Sequence, residues 1–187
     1  MERLFDRYLF AEDVLDALRS HDGLDSEVRD MALDIAAKHG NDALLLFRQG
    51  WSVVIASNDD VDAYETARRK LNAAHLTVQD SAGFLTGLGV AEYRLYRFDA
   101  ALRYLNQARE NELIKSPVRF VRNAPEDKKP TYPVRIAFRA MTLHQLGRAN
   151  EAKEELSLLR EIQKDLGWKH YADVERVLRE AEQTLAG

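Results

Sequence analysis

All four prolines of the 187-residue chain fall between Pro117 and Pro133. A proline in a helix interior removes a backbone donor and clashes with the preceding turn, at a cost of about 3 kcal/mol. The proline-free stretches on either side are rich in Ala, Leu, Glu and Arg, which suits an all-α protein. β-Branched clusters are short, the main ones being Val53-Val54-Ile55 and Val118 to Val121. Apolar residues make up 45% of the chain and charged residues 31%, so a packed core is within reach and disorder is disfavoured.

Punctuation brackets the helices. The pattern predicts helices over Ala11–Arg19, Ser26–Gly40, Asp42–Ser57, Val61–Leu76 and Ser81–Leu95. Four more follow at Asp99–Leu113, Pro133–Leu146, Ala149–Lys164 and Tyr171–Leu185. Connections are short, as between antiparallel helix neighbours. The exception is the proline-bearing stretch 116–132.

Internal periodicity is visible among these helices. One copy reads Leu85, Leu88-Gly89, Tyr93, Phe98, Ala101, Leu105 and Ala108. A second reads Ile136, Ala140, Leu143, Leu146-Gly147-Arg148, Ala149, Ala152, Leu156 and Leu159. A weaker third lies upstream as Leu46, Gln49-Gly50, Val53, Tyr64, Ala67, Leu71 and Ala74. Each small residue has a physical reason: Gly89 lets two helices approach, and Ala101 sits where a larger side chain would push them apart. Gly147 occupies a turn that favours left-handed backbone, where the earlier copy has Tyr96. This pattern resembles the tetratricopeptide repeat (TPR). The equivalent positions Gly50, Gly89 and Ala140 are 39 and 51 residues apart, against about 34 in a regular TPR. The excess of 5 fits around Ala56–Asp60, and the excess of 17 equals 116–132.

The expected fold is thus all-α, a right-handed αα-superhelix (TPR-like solenoid) of about nine helices. Residues 1–41 form an N-terminal helical hairpin or cap. Residues 42–164 hold three helix pairs (42–80, 81–115 and 133–164) with a basic insertion at 116–132, and 165–187 form a C-terminal capping helix. Three longer strings narrow the resemblance: Arg7 to Arg19, Gly83 to Arg94 with Arg97 to Leu102, and Pro133 to Met141 with His144 to Arg148. Together they resemble the TPR-like tails of large bacterial serine/threonine protein kinases and WD40-repeat proteins. The resemblance implies an accessory module that does no chemistry itself.

Catalytic patterns are missing. Gly87-Leu88-Gly89 is a lone G-x-G on a helix, better explained by helix crossing than by phosphate binding. The chain has neither a His-Arg-Asp nor an Asp-Phe-Gly string. Its five histidines are dispersed with no i,i+4 pair, and there is no cysteine, so no metal site or thiol nucleophile is indicated. Asp59, Asp60 and Asp62 read as a helix N-terminus. The expectation is a non-enzyme with no cofactor.

Two places can carry binding. The first is the inner face of the helix pairs, where helical spacing aligns Phe47, Arg48 and Trp51, then Thr86, Val90, Tyr93 and Arg94, then Met141, His144 and Gln145. Trp51, Val90 and Met141 stand where carboxylate-clamping TPR proteins carry Asn, so an amphipathic helix or apolar peptide suits this face better. The same residues equally serve as core beneath an N- or C-terminal helix. The second is the basic loop, with Lys115, Arg119, Phe120, Arg122, Lys128, Lys129 and Arg135. It carries six cations against Glu126 and Asp127, in a chain of net charge −4. It offers an anchor for acidic protein, phosphopeptide or nucleic acid, or docks on its own acidic body.

No apolar run in the chain suits a signal peptide or a membrane span, and a cytoplasmic, membrane-free location is expected. The leading functional expectation is a protein- or peptide-binding scaffold of a bacterial signalling protein, such as the accessory TPR region of a serine/threonine kinase. A domain that restrains an attached kinase is a variant of it. The alternative is a nucleic-acid-associated helical protein acting through the basic loop 115–135, which the net acidity disfavours as a general mode. The stripe Val174, Val177, Leu178, Ala181 and Leu185 on the last helix suits capping or self-association.

Overall fold

The computed structural model describes Tyr8 and residues 10–39, 42–57, 60–115, 133–164 and 172–186. The described residues form nine helices and no strand: α1 (Ala11–Arg19), α2 (Ser26–His39), α3 (Ala43–Val54), α4 (Val61–Thr77), α5 (Ala82–Arg94), α6 (Phe98–Lys115), α7 (Pro133–Gln145), α8 (Ala149–Gln163) and α9 (Ala172–Ala186). Caps set several of the starts. Asp42 accepts from the amides of Leu44 at 2.9 Å and Leu45 at 3.1 Å, and Asp60 accepts from Ala63 at 2.9 Å. α2 begins one residue earlier than a Ser26 cap implies, because Asp25 takes the amide of Glu27 at 2.9 Å. None of the described helices is long and apolar enough to cross a membrane. The predicted insertion 116–132 and the stop at Gly40 lie outside the described residues.

Helices α3/α4, α5/α6 and α7/α8 pack as pairs. A glycine marks the crossing in the first two pairs. A Cβ placed on Gly50 would lie 2.7 Å from Leu71 Cγ and 2.9 Å from the Ala67 carbonyl oxygen. One on Gly89 would lie 2.6 Å from Leu105 Cγ and 3.3 Å from the Ala101 carbonyl oxygen. Thus both pairs close through the same contact: a glycine on the first helix against an alanine and the leucine four residues on. The three second helices agree in register. Ala67, Leu71 and Ala74 on α4, Ala101, Leu105 and Ala108 on α6, and Ala152, Leu156 and Leu159 on α8 are all 7% exposed or less.

The turn between α5 and α6 repeats the one between α7 and α8. Tyr96 donates its amide to Tyr93 and Arg97 donates to Glu92, as Gly147 donates to His144 and Arg148 to Leu143, each at 2.9 Å. This is the Schellman arrangement. Gly147 takes φ +75°, and Tyr96 takes φ +59° with its ring exposed. A side chain in that left-handed region costs roughly 1 kcal/mol. The sequence departure at Tyr96 therefore changes the strain and leaves the turn as it is.

Helix α9 packs chiefly on α7 and also on α8. Its Val177, Leu178 and Ala181 join the main core cluster with Leu71, Leu88, Phe138 and Met141. The hairpin of α1 and α2 stands apart. Among the described residues it packs on no other helix, and it has a small core of its own, Val14, Leu18 and Ala36. Phe10, just before α1, rests on the main cluster.

Two outcomes are expected in urea unfolding. Gly50→Ala and Gly89→Ala each lower stability by about 1–3 kcal/mol, since neither helix pair has room for a methyl group. Tyr96→Gly raises stability by about 0.5–1 kcal/mol through relief of the left-handed strain, net of the entropy that glycine adds to the unfolded chain.

Candidate interaction surface

The predicted inner-face residues divide into a closed part and an open part. Val90 and Met141 are fully buried, Thr86 is buried, and Phe47 and Arg94 are 8% exposed. Tyr93 and His144 are half-buried, and Gln145 is exposed. The closed part lies on α5 and α7 together with Phe47 of α3, and α9 helps to cover it. Arg94 is the centre of the closure. Its Nε donates to the Val54 carbonyl of α3 at 3.0 Å. Its two terminal nitrogens grip the Glu180 carboxylate of α9, one of them at 2.9 Å. Its guanidinium carbon lies 4.9 Å from the centre of the Phe138 ring on α7. One cation thus joins three helices to α5, in a place only 6% of its side-chain surface leaves open.

Tyr93 continues the seam. Its ring meets Phe138 edge-on at 5.3 Å, and its hydroxyl lies beside the Thr184 hydroxyl of α9, which donates to the Glu180 carbonyl at 2.9 Å. Burial raises the Tyr93 hydroxyl above the usual tyrosine range, partly offset by the polar Thr184 neighbour. Glu180 and Thr184 were not among the sequence candidates. The only sequence signal for Glu180 is its place beside the α9 stripe.

Other ion pairs tie helices together rather than build a pocket. Arg68 pairs with Glu65 at 2.7 Å, and both Arg68 and Arg97 lie 3.6 Å from the buried Glu92. The Arg68 hydrogen bond lowers the Glu65 carboxyl below its usual range. Arg139 of α7 pairs with Glu155 of α8 and donates to Asn106 of α6 at 2.8 Å. Among the described residues no three His, Asp or Glu side chains converge as metal ligands would.

The open part of the face is on α3. Trp51 is half-buried and stacked on Phe47 at 5.7 Å, while Arg48 is exposed beside Leu44 and Leu45, which are 50% and 47% exposed. Aligning the crossings at Gly50, Gly89 and Ala140 explains that exposure. The α5 positions five and two residues before the crossing and two after it are Phe84, Gly87 and Ala91, all buried. Phe84 stacks on Phe47 at 4.9 Å, and a Cβ on Gly87 would lie 2.9 Å from Leu71 and 3.0 Å from Phe47. The α7 equivalents Arg135, Phe138 and Thr142 are also buried, and Phe138 packs on Tyr93 and Arg94. This register is therefore the one each first helix presents to the preceding pair. On α3 it holds Leu45, Arg48 and Ser52, and all three are exposed.

A second open apolar face lies on α2. Val28, Met31 and Ile35 are 55%, 67% and 46% exposed and follow helical spacing. Exposed Glu27 and Asp30 flank them. The other side of α2, with Ala36, Ala32 and Leu33, faces α1. Periodicity shows that these residues align on one helix face but not which neighbour they meet.

Of the basic-loop candidates, Arg119, Phe120, Arg122, Lys128 and Lys129 lie outside the described residues. Lys115 ends α6, and Arg135 stands inside α7 only 4% exposed. The structure therefore withdraws Arg135 from any exposed basic surface. No protein-family model and no curated protein sequence matches the chain.

Replacing Glu180 by Gln is expected to lower stability by about 2 kcal/mol in urea unfolding, because Arg94 keeps its burial and loses its counter-charge. Alkaline pH tests Tyr93. Its folded pKa lies above the unfolded value, so its share of stability is complete below the ordinary tyrosine pKa of 10.0 and is lost as pH rises through the folded value. Tyr93→Phe should therefore flatten the fall in melting temperature above about pH 10.

Proposed function

We propose that this chain is a non-catalytic protein-interaction module built as a TPR-like αα-repeat. Three observations support the reading: the shared glycine crossings, the common register of the second helices, and the matched turns at Tyr96 and Gly147. The finer expectation, an accessory region of a bacterial serine/threonine kinase, rests on the sequence resemblance alone. The observation that carries the interaction role is the pair of open apolar faces on α2 and α3. Exposed apolar residues aligned on one helix face mark contact sites more often than scattered ones do. The inner face contributes less than the sequence pattern implies, since α9 already lies over α5 and α7.

A photo-crosslinking side chain tests this in cells that make the full chain. Placed at Met31 or Leu45, it should give discrete protein adducts. Placed at exposed Thr66 of α4 it should give none. Absence of adducts at both open positions contradicts the interaction role.

A further inference from the structure

The two open faces match one another. The α3 face presents Leu45 and Arg48 in the register that α5 and α7 bury against a preceding helix pair, with exposed Leu44 beside them. The α2 face presents Val28, Met31 and Ile35 beside Glu27 and Asp30. One is apolar with a cation, and the other is apolar with anions. Among the described residues the hairpin makes no contact with α3 of its own copy, and Val28, Met31, Ile35, Leu44 and Leu45 are all exposed at once.

We propose that the occupant of each face is a second copy of this chain, α2 of one copy lying on α3 of the other and the reverse. The proposal rests on the interaction reading above and names its partner. A reciprocal pair of this kind closes with two-fold symmetry and satisfies all four open faces. It also gives α2 the second neighbour that its two apolar sides require. Among the described residues the hairpin buries only Val14, Leu18 and Ala36, and the partner's α3 extends that small core. Charge chooses the pairing. Laying α2 on the α2 of another copy would bring two acidic sets, Glu27 and Asp30 of each copy, to one seam with no exposed cation between them, whereas α2 on α3 brings them to Arg48. In the exchanged arrangement Leu45 and Arg48 reach the partner hairpin as Phe84 and Phe138 reach the pairs before them.

Sedimentation velocity of the full chain over a hundredfold concentration range tests this directly. A monomer–dimer equilibrium is expected, weakening as salt rises. Met31→Gln and Leu45→Gln, both at exposed positions that leave the helices intact by circular dichroism, should each weaken the dimer at least tenfold. Arg48→Glu should weaken it similarly, and Glu27→Lys with Asp30→Lys in the same chain should restore it. Thr66→Lys should change nothing. A monomer at every concentration overturns the proposal. So does a dimer indifferent to Met31 and Leu45, or a monomer whose α2 and α3 faces are both protected from hydrogen exchange by in-chain docking. Crosslinks from Met31 or Leu45 to a different protein, with a monomeric chain, overturn the self-pairing and leave the interaction reading standing.

Discussion

The contact of a Cβ-less residue on one helix with an alanine and a leucine on the next sets the geometry of this fold. Gly50 meets Ala67 and Leu71, and Gly89 meets Ala101 and Leu105, at distances that leave no space for a methyl group. Close approach fixes which side of each first helix turns toward its own partner. The remaining sides are then committed in turn: one to the preceding pair, and one to whatever lies across the face. Gly87 and Gly89 share α5 for this reason. One glycine faces Phe47 and Leu71, and the other faces Leu105. The G-x-G string is a helix packed closely on two sides, with no nucleotide chemistry needed to explain it.

Arg94 turns a stack of pairs into a closed body. A buried guanidinium is costly unless its hydrogen bonds and charge are satisfied. Here the Val54 carbonyl, the Glu180 carboxylate and the Phe138 ring supply those partners from α3, α9 and α7. The same residue that sequence spacing assigned to a binding face thus holds the C-terminal helix in place. Arg139, reaching Asn106 and Glu155, is a second polar tie among α6, α7 and α8. Together they specify how successive pairs sit, which apolar packing alone leaves loosely determined.

Much of this was legible in the sequence, and the reasons are local. Helix bounds fell within about three residues because caps such as Asp42 and Asp60, and the confinement of proline to one segment, act over a single turn. The helix-pair packing was legible because Ala67, Ala101 and Ala152 recur with leucines four residues on. The seat of α9 was not legible. Its amphipathic stripe predicts a helix that buries one side, but nothing near Glu180 in the chain points to Arg94, 86 residues away. The open face of α3 was legible only in part, through Arg48 and Trp51. Leu44 and Leu45 look like any helix surface until positions Gly50, Gly89 and Ala140 are superposed. Arg135 was misplaced by charge counting: it follows a basic run in sequence, while the helix starting at Pro133 turns it inward.

The Arg94 contacts make α3 to α9 one cooperative body, sealed by α9. Hydrogen exchange of the intact chain, followed by mass spectrometry across a urea series, tests it most directly. Amides of α5, α7 and α9 should lose protection together, in a single unfolding unit. If α9 exchanges far faster than α5 and α7 in the absence of urea, the seal is not part of the body and the claim fails.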